Sequence, residues 1–356
     1  YEVCISKNKK TVKFKERIFD LDYENFSFNI NNEIIKPDAV FNIIHGDPGE
    51  NGVLAKILER NNIPQNEYDD VIFGCLDTVG PLAGNIARTA WLVAGYDLVV
   101  PGVTVDRQCG SSQQAVHFAA MAIMSGTQDV VIAGGVQTMS KIPIGASMIA
   151  GRELGFDHPF HTSPGWLKRF GDAPVDQFYG ASEIAKRWGF SRKDLEEFSL
   201  NSHRRADKAR DSGWFNKEIS SINGLEQDET IRANTSMERM AELEAFDAHG
   251  LITAGVASQT CDGSSAILLA SADAVKRYNL KPRARIHHLE VMGDDPILML
   301  TGPIAATKRA LFRAGMNSSE IDLAECNEAF ASVPMAWMQE TNIPHEKTNV
   351  NGGAIS

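Results

Sequence analysis

The 356-residue chain is 43% hydrophobic, enough to bury a sizeable core, and its length suggests two or three domains. A formal net charge of −11 argues against a general nucleic-acid binder, and no apolar run approaches the roughly 20 residues that cross a bilayer. Cys4, Cys75, Cys109, Cys261 and Cys326 stand apart without any C-x-x-C pair, which gives no zinc or dithiol signature and suits a reducing compartment. With no secretory n-region and h-region at its start, the expected location is the cytoplasm.

Lys7, Lys9, Lys10, Lys13, Lys15 and Arg17 make a basic beginning that reads as a solvated face. A polar, hairpin-like stretch follows, then a buried-strand pattern over Ala39–Ile44 and the word H-G-D-P-G-E-N-G at 45–52. That word resembles the first domain of D-alanine–D-alanine ligases, in which the glutamate matching Glu50 helps hold the first D-alanine. No ATP-grasp portion accompanies it, so ligase activity is not expected, and the change of pattern near Gly52 suggests a junction of two unrelated pieces. From Gly52 the pattern is an amphipathic helix ended by Pro64, then a strand over Asp70–Cys75, then a small-residue loop leading into a helix within residues 77–98.

The next stretch is the most informative. Val99–Val105 reads as a buried strand, Ala115–Met124 as a helix with only His117 polar, and Val130–Ala133 as a second buried strand bounded by Gly134 and Gly135. A helix with no polar face is expected to be buried. Cys109 stands at the turn where that helix begins. Free N–H groups and the positive end of the helix dipole there are expected to favour the thiolate and lower its pKa from roughly 8.5. Gly110, Ser111 and Ser112 keep the approach to the sulfur narrow but open, which is the setting of a nucleophile; the alternative is a small packed core residue.

Residues 139–169 mix Gly, Pro, His and aromatics without a period, as an irregular, lid-like loop does. His158 and His161 have no second ligand pair, so no metal site is expected. Helices are predicted at Tyr179–Trp188 and Ser191–Ser212, the latter capped by Ser191 with Asp194 at the third position. Arg204, Arg205, Lys208 and Arg210 near its end suit the helix dipole. Beyond the turn at Asp262-Gly263, a strand is predicted at Ala266–Ala270, with Cys261 a packed small residue. A linker with Lys281 and Pro282 opens a second half: strand Ala284–Leu289, helix Pro303–Ala314 stopped by Gly315, strand Ile321–Ala324 and helix Ala329–Gln339. V-T-V-D-R-Q-C and I-D-L-A-E-C-N repeat one logic, a strand delivering a functional group through a polar turn to a helix, which implies an internally repeated α/β fold with a site between halves.

Four stretches resemble thiolase motifs in order and at about the family's spacing. They are D-R-Q-C-G-S-S-Q-Q-A with A-G-G-V-Q-T-M-S, S-Q-T-C-D-G-S-S-A at 258–266, N-E-A-F-A at 327–331, and N-V-N-G-G-A at 349–354. The resemblance runs from about Gly52 to the end and is nearest the degradative 3-ketoacyl-CoA thiolases. It implies a five-layered αβαβα fold of two similar halves with an inserted loop domain, the C-terminal half incomplete. The boundaries are 1–51 foreign segment, 52–140 N-terminal half, 141–254 loop domain, 255–275 last part of the N-terminal half and 276–356 C-terminal half. It also implies cleavage of 3-ketoacyl-CoA by coenzyme A through an acyl-cysteine, with acyl-CoA and CoA as partners, no bound cofactor or metal, and a homodimer or homotetramer with residues 77–98 near the dimer interface.

By the same resemblance Cys109 is the nucleophile and its N–H part of one oxyanion hole. Asn327 holds the water of another, Ser258 lines the pantetheine channel, Glu328 is structural, and the charged helix end reaches the CoA nucleotide. Cys326 stands where many relatives carry histidine, and Ile144 where several biosynthetic ones do. The family's G-H-P histidine and C-x-G cysteine, base and acid in the reaction, would follow Ser356, so feeble turnover is expected of the chain as written. The remaining readings are a non-catalytic acyl-CoA-binding relative and a ligase-derived D-alanine binder.

Overall fold

The computed structural model describes residues 63–216, 219 and 227–356, with the backbone of five short strands before them. Strands β1 (Cys4–Ile5), β2 (Thr11–Phe14) and β3 (Arg17–Asp20) form an antiparallel sheet, and β4 (Phe28–Ile30) pairs with β5 (Glu33–Ile35) as the expected hairpin. The strand expected at 39–44, the word at 45–52 with Glu50, and all but the last two residues of the helix expected from Gly52 lie outside the described residues.

Two compact units divide the chain: Tyr1–Leu154 with Glu218–Gln227 and Cys261–Arg285, and Gly155–Lys217 with Asp228–Thr260 and Ile286–Ser356. In the first, β6 (Asp70–Gly74), β7 (Gly102–Val105), β8 (Val130–Thr138) and β9 (Asp262–Ala270) form one sheet in the order β7-β6-β8-β9. The first three are parallel, joined by crossover helices α1 (Ile86–Val93) and α2 (Ser111–Met124); β9 runs antiparallel to β8. Asn85 caps α1, its Oδ1 accepting from Arg88 N at 3.2 Å and its Nδ2 donating to Gly102 O at 2.6 Å, which ties the helix to the edge strand. Tyr68, Val71, Trp91, Tyr96, Val100 and Val130 pack beneath, with the Trp91 and Tyr96 rings stacked 3.9 Å apart.

Two expectations for this unit are corrected. Helix α2 is not buried all round: Ser111, Gln114, Ala115, His117, Ala119 and Ala120 form its hidden side, whereas Phe118 is 41% and Met124 60% exposed. Strand β9 begins at Asp262, not after a turn, since β8 continues to Thr138 and pairs with it residue for residue. The Asp262 carboxylate accepts from Ser140 Oγ at 2.6 Å and Ser140 N at 2.8 Å, and these bonds hold its pKa below the ordinary value.

The second unit is mainly helical: α3 (Pro164–Phe170), α4 (Gln177–Trp188), α5 (Arg192–Asp211), α6 (Met237–Ala241), α7 (Gly302–Ala314) and α8 (Ser332–Thr341). Its core joins Ala181, Leu195, Phe198, Ile252, Phe330 and Trp337. Helix α5 carries the predicted capping box, Ser191 with Asp194, and Gly315 ends α7 in the left-handed conformation. Helix α3 corrects the expectation of a wholly irregular 139–169: Ser163 accepts from Trp166 N and Pro164 starts the helix.

Three further elements of the second half differ from expectation. Residues 284–289 form no strand, and Ile321–Ala324 makes only one bridge, Ala324 with Thr348. A strand exists through its partner, and alternating side chains alone do not supply one. The last helix starts at Ser332, because the backbone before it is engaged elsewhere: Ser258 N donates to Ala329 O and Ala331 N to Val256 O, both at 2.9 Å. Among the described residues no helix is long and apolar enough to cross a membrane.

Candidate active site

Cys109 sits in a tight turn between β7 and α2. Gly110 N donates to Arg107 O at 3.1 Å and Ser111 N to Gln108 O at 3.0 Å, with Gln108 in the left-handed region at φ 47°. The Ser111 hydroxyl closes the turn by accepting from Arg107 N at 2.8 Å and donating to Gln108 O at 2.5 Å. Two glycines allow this turn to sit on the strand ends. A Cβ on Gly74 would lie 2.3 Å from the Ser111 carbonyl carbon, and one on Gly135 would lie 2.0 Å from Ser112 Oγ. The side chain of Cys109 is left exposed at the head of the helix.

The expected lowering of its pKa is corrected. Protein crowding on one side of the sulfur removes water and raises the thiol pKa above its ordinary value; a hydrogen bond from its own N–H opposes this, and the Asp106 carboxylate adds to the rise. The resting group is the thiol. The open side still admits a reagent. Burial raises Cys75 to about 11 and Cys326 to about 12, so neither competes as a nucleophile.

Ser258 and Asn327 both belong to the second unit. The hydrogen bonds of Ser258 N with Ala329 O and of Ala331 N with Val256 O lay the Ser258 segment along N-E-A-F. Phe330 meets Phe178 edge-on at 5.2 Å between ring centres, and Phe178 meets Phe246 at 5.3 Å, with Phe178 and Phe246 both exposed. This row of rings, which ends on Phe330 of N-E-A-F-A, was not anticipated from the sequence, where three distant phenylalanines carry no common period. Asn327 is exposed. Its neighbour Glu328 is 1% exposed and accepts from Ser202 Oγ at 2.6 Å, Asn349 Nδ2 at 2.8 Å and Ile355 N at 3.3 Å. Burial raises the Glu328 pKa, while these bonds and Arg205 pull it down. Its carboxyl group thus ties three separate segments of this unit together.

Arg205 donates to the carbonyls of Thr348, Asn349 and His345, and Arg210 pairs with Asp207 and Asp211, so neither is spare for phosphate; Arg204 and Lys208 remain exposed. His158 and His161 stack on each other at 5.4 Å, and among the described residues no group of three or more His, Cys, Asp or Glu is arranged to hold a metal. Cys261 is exposed, not packed, in the residue immediately before β9. Ile144 is exposed as well.

Comparison with known proteins agrees with this geometry. The thiolase N-terminal domain family matches residues 50–273, and the thiolase C-terminal domain family residues 280–356. The steroid 3-ketoacyl-CoA thiolase FadA6 of Mycobacterium tuberculosis is 50% identical over 315 residues, covering 87% of this chain and 77% of that protein. A 3-ketoacyl-CoA thiolase of Idiomarina loihiensis is 37% identical, over 90% of this chain and 83% of its own. The crystal structure of human mitochondrial 3-ketoacyl-CoA thiolase superposes with a TM-score of 0.73 at 32% identity, over 84% of this chain and 78% of the other. With both family domains matched in order on an α/β frame, the chain belongs to the thiolase family and has its fold.

Proposed function

We propose that this chain cleaves 3-ketoacyl-CoA with CoA, giving acetyl-CoA and a shortened acyl-CoA, with Cys109 as the acyl carrier. The observation that carries the reading is the exposed thiol at the head of α2, held there by the close approach of Gly74 and Gly135. Cys109 gives its proton to a base, and its sulfur attacks the C3 carbonyl. The oxyanion collapses, the C2–C3 bond breaks, and the acetyl-CoA enolate takes a proton at C2 and leaves. A second CoA thiolate then attacks the acyl-cysteine and releases the sulfur. Splitting the cleavage in this way replaces one difficult step with two easier ones.

Cys109 N–H faces one oxyanion and Asn327, through a water, the other; a donor of this kind is worth about 3–4 kcal/mol. The raised thiol pKa means that proton removal must come from a base, the role the resemblance gives to the G-H-P histidine. The exposed Ser258 and the exposed rings of Phe178 and Phe246 suit the pantetheine arm of coenzyme A, which is a substrate here and not a resident cofactor. The substrates belong to fatty-acid or steroid side-chain β-oxidation, and the half-identity with a steroid thiolase favours the latter. Exposed Leu98 and Val99, 76% and 69% accessible beside the edge strand β7, support a homodimer or homotetramer. The described cysteines form no disulfide, which suits the cytoplasm.

The raised thiol pKa also favours a second reading, an acyl-CoA binder without chemistry. Intact-mass and peptide-level analysis after mixing with a 3-ketoacyl-CoA separates the two. An acyl adduct on Cys109, absent from Cys109→Ala, is the expected result; binding without an adduct establishes the second reading instead.

A further inference from the structure

The segment that carries Asn327 has almost no regular structure of its own, since Ala324 makes a single bridge and α8 begins only at Ser332. One side chain binds it on both sides of Asn327. Asn349 is 4% exposed and uses both ends of its amide. Its Oδ1 accepts from Cys326 N at 2.9 Å, and its Nδ2 donates to Cys326 O and to Glu328 Oε1, both at 2.8 Å. The two bonds to Cys326 copy the paired exchange between facing residues of an antiparallel ladder. The residue before Asn327 is therefore fixed at its N–H and its carbonyl, and the residue after it through its carboxylate.

Asn349 is itself held. It lies at φ 48°, a region asparagine enters at low cost; its N–H donates to Ala324 O at 2.9 Å, and its carbonyl accepts from Arg205 Nη1 at 3.2 Å. We infer that Asn349 is a positioning residue, clamping Cys326 and Glu328 so that the Asn327 amide is aimed at the oxyanion water. This rests on the role proposed for Asn327 above. It assigns to the N-V-N-G-G-A stretch a task within the reaction that its place in the fold alone does not convey.

The test compares Asn327→Ala, Asn349→Gly and the double variant in the full-length protein, with acetoacetyl-CoA and CoA as substrates and thermal melting followed in parallel. Glycine keeps the left-handed backbone at ease while removing the clamp. Asn349→Asp serves where the glycine variant melts too low: it keeps volume and the acceptor for Cys326 N, but turns an oxygen toward Cys326 O and Glu328. Misaiming a catalytic group by about 1 Å can cost about 10²-fold, so the Asn349 variants are expected to lose kcat on that order with KM unchanged. Asn327→Ala is expected to lose about 10²–10³-fold, and adding either Asn349 change to it is expected to cost nothing more. A slow Asn327→Ala beside Asn349 variants of full kcat, or fully additive losses, overturns the inference alone. Full kcat in Asn327→Ala overturns the role of Asn327 and the inference with it.

Discussion

The approach of α2 to the strand ends can be broken by one methyl group. In Gly74→Ala the added Cβ lies 2.3 Å from Ser111 C and Ser112 N and 2.7 Å from Ser111 Cβ. Ordinary carbon contacts lie near 3.5–4.0 Å, so the start of α2 must retreat by about 1 Å. Nothing flexible absorbs the shift, since the atoms met include the backbone at the first turn of the helix. Overpacking of this kind costs about 1–3 kcal/mol, and a displacement of about 1 Å at the nucleophile about 10²-fold in rate. Gly263→Ala is the control: it lies in β9 with nothing within 4 Å of its added Cβ, and neither stability nor rate is expected to move. The assay pairs a urea unfolding midpoint with the rate of Cys109 acylation by acetoacetyl-CoA. Wild-type acylation in Gly74→Ala, at an unchanged midpoint, would refute the argument that this contact sets the position of the thiol.

Three other outcomes follow from the same structure. Alkylation of the folded protein by iodoacetamide should modify Cys109 and Cys261 and spare Cys75 and Cys326, with a Cys109 pH midpoint above the ordinary thiol value of roughly 8.5; a lower midpoint, read by peptide mass, would contradict the crowding argument. Glu290 bonds the Arg309 guanidinium, which with Arg313 holds its carboxyl at about 2. Its folded pKa lies below the unfolded value of roughly 4.3, so its stabilisation is present above that pH and is lost as pH falls toward 2. Glu290→Gln should flatten the unfolding midpoint against pH in that window, and an unaltered slope would count against the pairing. Glu328→Ala leaves the buried Asn349 and Ser202 donors without their acceptor and should destabilise by about 3 kcal/mol, measured by urea unfolding.

What the sequence revealed was local. The apolar run of β6, the start of β8, the S-x-x-D cap of α5 and the Gly315 stop each act over a few residues and are found where their pattern places them, whereas β8 runs on past Ala133, through Gly134 and Gly135, to Thr138. What depended on partners was misread. The stretches at 284–289 and 321–324 look like strands but lack a ladder, and 329–331 looks helical but gives its backbone groups to Val256 and Ser258. Helix α3 was within reach, since Ser163 followed by Pro164 is a helix-start signal, but the aromatics around it hid the period.

The site divides along the same line. Cys109 stands out because strand, turn and helix follow one another in the chain, so its place at the helix head is a local fact. Its proton affinity is not, for burial and Asp106 raise it, and neither is visible in the local run of residues. Asn327 is the reverse case: the motif names it, while the residue that orients its loop lies in a different motif. Asn349 sits among N-V-N-G-G-A, and only the folded chain brings its amide against Cys326 and Glu328. The motif residues therefore divide into buried ones whose polar atoms are hydrogen-bonded to other motif residues, as in Glu328 and Asn349, and exposed ones, Cys109 and Asn327, to which we assign contact with substrate.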